Sequence, residues 1–348
     1  MQFHTPVAQV GLCSYCGRDV GVAPTLCVFR IGCHVESMVS VIKMEYRIFG
    51  KTGWEVSEIG LGGSWFYGRP EMGLKPVSHG VAIVERALEL GVNYFDTAPL
   101  YGRGRSEEVL GVALSGVREP YYLATKVGYY PEPFDYTRDA VWRGLDASLK
   151  RLKRDHVHLL QVHEAEKAGW PGLFDAGRTI EALLEIQAQG ICDYIGLTGS
   201  DLGLMSRVLK ETDVFVSVIT FCKYDLLTRE ATEELIPTAA AEGVAVICAS
   251  PLHAGLLGSK RDQWMAQGRF ADLYNDLIRV EKIVEGVDES MTSTALRYLL
   301  SDNRVSMLLC GVSDIDELED CVSVSDGGQL SGELIAEIEG DSICNPFA

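Results

Sequence analysis

The sequence predicts an α/β fold, a (β/α)8 TIM barrel entered through an N-terminal β-hairpin. Three observations lead there. From residue 59 to residue 322, short apolar runs alternate with segments of helical period. Eight such strand–helix units fall within about 280 residues, an ordinary size for a barrel. The residues able to carry chemistry stand at the ends of successive strands, the rim on which barrels build their sites.

The elements follow in order. Residues 46–49 and 55–59 flank a Lys51-Thr52-Gly53 turn and read as the hairpin. Ile59-Gly60-Leu61-Gly62-Gly63 is the first buried strand, and its glycines imply close backbone approach at its end. Residues 77–90 place Val81, Val84, Ala87 and Leu88 at helical spacing. The second strand, 93–97, is bounded by Gly91 and by Pro99 with Gly102. A helix over 106–114 opens on Ser106-Glu107-Glu108, acidic where the helix dipole is positive. Strands over 122–127, 156–163, 194–198, 214–221, 244–249 and 305–310 then alternate with helices. Those helices span 137–152, 178–189, 202–211, 230–242, 292–300 and 316–322, and Gly190 and Gly243 close two of them. A long segment from 251 to 287 interrupts the alternation after the seventh strand. The alternative is a doubly wound Rossmann sheet, which needs a Gly-rich turn directly between the first strand and its helix. Gly60-Leu61-Gly62-Gly63 leads into a loop instead, and Gly102-Arg103-Gly104 lacks a third glycine, so both read as loop glycines.

Composition narrows the function classes. The 348 residues, 47% of them hydrophobic, suffice for one large core. Lys and Arg number 31 against 49 Asp and Glu, a net charge of −18 that disfavours nucleic acid and anionic membranes as partners. No apolar run reaches the length of about 18 residues that a membrane span needs. Six cysteines lie in the barrel region: Cys192, Cys222, Cys248, Cys310, Cys321 and Cys344. Cys222, Cys248 and Cys310 sit in apolar runs and read as small buried hydrophobes, so a reducing, cytoplasmic location is expected. Residues 1–43 differ from the rest. Cys13, Cys16, Cys27 and Cys33 fit no standard zinc-finger spacing, and the order of a secretory signal is missing. This stretch reads as a disordered extension or a start-site artefact. Met44 is then the natural start of a barrel that runs over 44–348 and ends in a helix and tail.

The chemistry concentrates in four residues. Asp96 ends a buried strand, where a carboxylate needs a charged or hydrogen-bonded partner. Tyr101 follows in the next loop, Lys126 is buried in Leu123-Ala124-Thr125-Lys126, and His163 ends Leu159-Leu160-Gln161-Val162-His163. Singly, each has an ordinary structural reading as a turn Asp, a snorkelling Lys or a structural His. Together, in order and at successive strand ends, they resemble the catalytic tetrad of the aldo-keto reductases. The resemblance covers residue 44 to about residue 325.

It implies a hydride exchanged with a nicotinamide and a proton exchanged at Tyr101. A free tyrosine titrates near 10, and the Lys126 ammonium is expected to lower that value. Asp96 pairs with Lys126, His163 orients the substrate oxygen, and no metal is required. The cofactor's anionic parts are expected at the loops after the seventh and eighth strands. Ser250, Pro251, Leu252 and Gly255 occupy the first; Gly311 and Ser313 precede a helix N-terminus in the second. Three positions depart from the family pattern. Thr198-Gly199 stands for Ser-Asn after the fifth strand, Phe221 for a glutamine, and Ala249 for a ring that stacks on the nicotinamide. Thr198 and Gly199 are therefore the residues left for the carboxamide.

These departures, with Phe134-Asp135-Tyr136-Thr137 and Gly196-Leu197-Thr198-Gly199, resemble the aldose 1-dehydrogenase branch. That branch implies oxidation of a sugar of the L-galactose, L-fucose or D-threo-aldose class at C1 to the lactone. An NADPH-dependent aldehyde or ketone reductase, a pyridoxal-type alcohol dehydrogenase, and a non-catalytic binding subunit on the same fold are the alternatives. Trp65, Tyr67 and Tyr129 are the candidate substrate rings, and each also has an ordinary packing reading. NAD is expected over NADP, because Ser313 stands where NADP-binding relatives carry Lys or Arg and is followed by Asp314, Asp316, Glu317, Glu319 and Asp320. The expected partner is a small sugar or carbonyl substrate, and the expected state is a monomer or homodimer.

Overall fold

The computed structural model describes residues 43–68, 73–131 and 134–340. The expectations for residues 1–42, for 69–72 in the loop after Trp65 and for Cys344 lie outside the described residues. Two strands, β1 (Tyr46–Ile48) and β2 (Glu55–Ser57), pair antiparallel as the hairpin. The chain then enters the barrel at β3 (Ile59–Gly62), followed by α1 (Val77–Glu89), β4 (Tyr94–Asp96), α2 (Arg105–Ala113), β5 (Tyr122–Val127) and α3 (Arg138–Leu152). Next come β6 (Val157–Val162), α4 (Ala165–Phe174), α5 (Thr179–Ala188), β7 (Cys192–Gly199), α6 (Leu202–Glu211) and β8 (Phe215–Phe221). The last third holds α7 (Leu235–Ala241), β9 (Ala245–Ala249), α8 (Arg261–Ala266), α9 (Tyr274–Val284), α10 (Met291–Leu300), β10 (Val305–Gly311), α11 (Ile315–Val322) and α12 (Gly332–Glu339). β3 to β10 close into one parallel barrel, with β10 beside β3.

Strand alternation sorts the side chains into two cores. Tyr94, Ala124, Leu159, Ile219, Ala245, Ile247 and Met307 fill the barrel interior. Phe95, Leu123, Leu160, Ile195, Val218 and Leu308 point the other way and pack beneath the helices. The hairpin plugs the N-terminal end. Phe49 stacks on Trp54 at 5.8 Å between ring centroids and tilts against Tyr94 at 5.7 Å, while Trp54 stacks on Tyr122 at 4.4 Å. Gly50 is needed there: a Cβ would stand 2.6 Å from the Ala245 amide nitrogen.

Three segments differ from expectation. The helix expected over 230–242 divides into a 3-10 turn, Glu230–Thr232, and α7. Pro237 lacks an amide hydrogen and is tolerated only in the first turn, so α7 cannot extend backwards. α4 was not anticipated, because Gly169 and Pro171 interrupt its pattern; the chain kinks at Gly169, whose φ is 62°. The segment over 251–287 holds α8 and α9. No helix among the described residues is long and apolar enough to cross a membrane.

Candidate active site

The interior periodicity of two carries Tyr94 and Asp96 on β4, Ala124 and Lys126 on β5, and Leu159, Gln161 and His163 along and just past β6. Asp96 and Lys126 therefore meet inside the barrel, at 0% and 2% exposure. The Lys126 ammonium donates to Asp96 Oδ1 and to the Thr97 carbonyl, the latter at 2.9 Å. The second carboxylate oxygen, Oδ2, accepts from Gln161 Nε2 at 2.7 Å. Gln161 was not anticipated; its signal was its place two residues before His163 on the same strand face. It pairs with Lys126 on one side and Gly196 on the other in the strand register.

Tyr101 begins a tight turn after β4 in which Gly102 and Arg103 are left-handed. That turn brings its ring over Lys126, with the ammonium 4.8 Å from the ring centroid, and edge-on to His163 at 5.7 Å. The four expected residues thus form one cluster at the C-terminal mouth. The electrostatics correct one expectation. Burial raises the Tyr101 pKa more than the Lys126 ammonium lowers it, so the net shift is upward rather than downward. Burial pulls Lys126 down, but the Asp96 carboxylate and the Tyr101 hydroxyl outweigh it, and this ammonium is held charged. Burial and the Lys126 charge drive the His163 pKa well below the ordinary histidine value, so its imidazole is neutral.

The expected cofactor residues ring the same mouth. Thr198 and Gly199 end β7; Thr198 Oγ1 accepts the Glu164 amide at 3.0 Å and keeps its own proton to donate. Glu166 on α4 accepts the Ser200 amide and hydroxyl at 3.1 and 2.7 Å and lies against Gly199, where a Cβ would stand 2.5 Å from Oε2. After β9, Ser250, His253 and Ala254 are all left-handed, which folds Ser250, Pro251, Leu252 and Gly255 into a tight knot. Within it, His253 Nδ1 and Asp225 Oδ2 are 2.7 Å apart. Phe270 meets His253 edge-on at 4.8 Å, and the Arg269 guanidinium lies over Phe270 and Trp264 at 4.7 and 4.3 Å. After β10 the Ser313 donors are engaged within the chain. The Ser313 amide and hydroxyl both donate to Glu317 Oε2, at 2.9 and 3.1 Å, so the chain's own carboxylate already takes these donors. Arg304 pairs with Asp302 before β10, at the far end of the barrel.

The expected substrate rings divide. Tyr129 tilts against His163 at 5.4 Å and carries the Lys167 ammonium over its face at 4.8 Å. Tyr67 packs on Gly102, beside Tyr101, where a Cβ would stand 2.8 Å from its ring. Trp65 lies instead over Gly311, 3.2 Å from the place of a Cβ, and so belongs to the wall nearer β10. His156, His158 and Asp193 cluster apart from these residues, beside the first residues of β5, β6 and β7. There His158 Nδ1 accepts the Leu123 amide at 3.0 Å, which gives its proton to Nε2 and leaves neither nitrogen free to bind a cation.

A closed parallel barrel that holds a phenol over a buried ammonium at its C-terminal mouth is built for proton transfer at a carbon–oxygen centre. Residues 58–342 match the Aldo/keto reductase family, and the chain belongs to it. It is an oxidoreductase of that family, whose members use nicotinamide cofactors. The chain is 31% identical over 309 residues to L-galactose dehydrogenase of Arabidopsis thaliana, covering 85% of this chain and 94% of that protein. It is 26% identical over 261 residues to D-threo-aldose 1-dehydrogenase of Pseudomonas sp, covering 67% and 78%. Among solved structures, the holo form of aldo-keto reductase AKR11C1 from Bacillus halodurans is 29% identical, with a TM-score of 0.72 over 85% of this chain and 96% of that one.

Proposed function

We propose that this enzyme oxidises an aldose of the L-galactose, L-fucose or D-threo-aldose class at C1 to the lactone, with NAD as the hydride acceptor. The observation that carries the reading is the buried Tyr101–Lys126–Asp96 cluster facing His163, in a chain this similar to an L-galactose dehydrogenase.

The residues at the mouth fit a dinucleotide. The Arg269 guanidinium lies over two rings beside the loop after β9 and has no ion pair among the described residues. Gly255 is left-handed, and a Cβ there would strike the Lys260 stem at 2.8 Å, which keeps that loop compact. Thr198, Gly199, Ser250, Pro251, Leu252, Gly255, Gly311 and Ser313 are the residues assigned to it. When bound, the nicotinamide supplies or takes the hydride. Tyr101 takes the C1 hydroxyl proton as a phenolate in oxidation and returns it as a phenol in reduction. Lys126 stabilises the phenolate, and Asp96, braced by Gln161, keeps Lys126 in place and charged. Neutral His163 hydrogen-bonds the reacting oxygen and orients it against Tyr101. Tyr129 and Tyr67 offer faces to the sugar ring, and Trp65 completes the wall nearer Gly311.

The cofactor preference rests on Ser313 and Glu317. A 2′-phosphate would face a carboxylate that already holds the local donors and would find no cation at position 313. Losing one charge-assisted contact is worth roughly 1.5–3 kcal/mol, about ten- to a hundredfold in affinity. Arg269 favours a second reading, an NADPH-dependent aldehyde or ketone reductase, since it is a cation elsewhere on the rim. Steady-state dinucleotide reduction with a panel of aldoses, run with NAD and with NADP and with product analysis, separates the two. The expected result is lactone formation with kcat/KM at least tenfold higher for NAD. A tenfold preference for NADP, or turnover of simple aldehydes alone, selects the reductase.

A further inference from the structure

Tyr136 has no part in the steps above, yet one side chain ties together the strand ends that carry Lys126 and His163. Its ring packs against Gly128, two residues past Lys126, where a Cβ would stand 2.2 Å from the ring. Gly128 is left-handed at φ 95°, so this close approach needs glycine twice over. From there the phenol reaches across to the next unit. It donates to the carbonyl of His163 at 2.5 Å and to that of Glu164 at 3.1 Å.

The turn it grips is a costly one. Glu164 is left-handed, with φ 49° and ψ 70°, a conformation that a residue with a side chain holds only when its surroundings enforce it. Its amide donates to Thr198 Oγ1 at 3.0 Å. The His163 amide donates to the Val127 carbonyl at 2.9 Å. The backbone polar groups on both sides of the His163 ring are therefore held from two other units of the barrel, by Val127 and Tyr136 of the β5–α3 unit and by Thr198 of β7. Tyr136 is fixed in turn: its own carbonyl accepts the Thr179 hydroxyl at 2.8 Å, and it is buried. Burial, with Glu164 and Glu166 nearby, pushes the Tyr136 pKa far up, so the phenol remains a donor at every pH where the enzyme works.

We propose that Tyr136 is a positioning residue for the reaction: its phenol clamps the His163–Glu164 turn and thereby sets the His163 ring against Tyr101 and the substrate oxygen. The inference rests on the reading that His163 orients that oxygen. Misplacing an orienting group by about 1 Å costs up to 10²-fold in rate.

The test uses Tyr136→Phe, which keeps the ring on Gly128 and removes only the donor, and Thr179→Val, a milder change that frees Tyr136 from behind. The first readout is independent of turnover: the ¹H–¹⁵N resonances of the His163 ring in the enzyme without substrate. Both variants should shift or broaden them while circular dichroism stays unchanged. Resonances identical to the wild type in both overturn the clamp. The second readout is a double-mutant cycle. Tyr136→Phe should lower kcat/KM about 10–100-fold, with dinucleotide affinity by fluorescence titration kept within about twofold. In a His163→Gln background the same change should cost less than about threefold, because the residue acts through His163. Full additivity overturns the proposal. Turnover untouched by His163→Gln would sink the functional reading of His163 instead, and ring resonances that still respond to Tyr136→Phe tell that failure apart.

Discussion

Tyr101 is placed against its own ionisation. Burial raises its pKa and Lys126 only partly offsets the rise, so at neutral pH the group is a phenol, ready to give its proton. Oxidation, which needs the phenolate, should therefore accelerate as pH rises. Tyr101→Phe keeps the ring but should cut turnover about 10²–10⁴-fold, the usual scale for lost acid–base catalysis, and flatten that pH dependence. Near-normal turnover with an unchanged circular dichroism spectrum would remove Tyr101 from the proton step. His163 yields a prediction of its own. Its folded pKa lies below the ordinary 6.5, chiefly through burial and then through Lys126. The unfolded chain therefore binds a proton that the folded chain refuses. Stability is full above pH 6.5 and is lost as pH falls below it, by at most about 1.4 kcal/mol per pH unit. His158, lowered mainly by burial and also by His156, adds in the same sense. Between pH 7 and pH 5, the Tm of His163→Gln should fall less than that of the wild type; an equal fall contradicts the assignment.

At the scale of elements, the site depends on small residues in the strands that face it. Gly196 on β7 leaves room for the Gln161 side chain, which braces Asp96. A Cβ at 196 would stand 2.6 Å from Ser217 Oγ and 3.0 Å from Gln161 Cγ. Gly196→Ala should therefore disturb the Gln161–Asp96 bond, lower turnover about tenfold, roughly 1.4 kcal/mol in the barrier, and leave dinucleotide affinity little changed. Unaltered kinetics would show that the interior tolerates the methyl group. α4 makes the complementary point. It carries Glu166 and Lys167 to the site, yet Gly169 and Pro171 hide it from any periodicity argument. Besides the local stacking of Trp170 on Phe174 at 4.3 Å, a tertiary contact holds it: Trp170 takes the Arg207 guanidinium of α6 at 3.8 Å.

At the scale of the molecule, Met44 is the first buried residue among those described. It is 7% exposed, and the Ser325 hydroxyl lies 3.4 Å from its sulfur, between the two ends of the barrel chain. The elements described above and every site residue follow it. A chain beginning at Met44 should be as soluble and as active as the full protein, with a Tm within a few degrees. Loss of activity on truncation, or stoichiometric zinc present only in the full chain, would give the first 43 residues a role.

The barrel and the convergence of Asp96, Tyr101, Lys126 and His163 were legible from sequence because both depend on order along the chain. Strand period places Asp96, Lys126 and His163 on the inner face, and the βα alternation brings their ends to one rim. Three things were decided only in three dimensions. The sign of the Tyr101 shift is a contest between burial and one ammonium, and burial has no value until the interior is packed. The donors at Ser313 go to Glu317 because a helix turn folds that carboxylate back onto them. The grip of Tyr136 on the His163–Glu164 turn joins residues 27 and 28 positions apart, through a ring that only Gly128 lets so close. Sequence specifies which side chains face inward, whereas distance, desolvation and hydrogen-bond partner arise when separate strands meet.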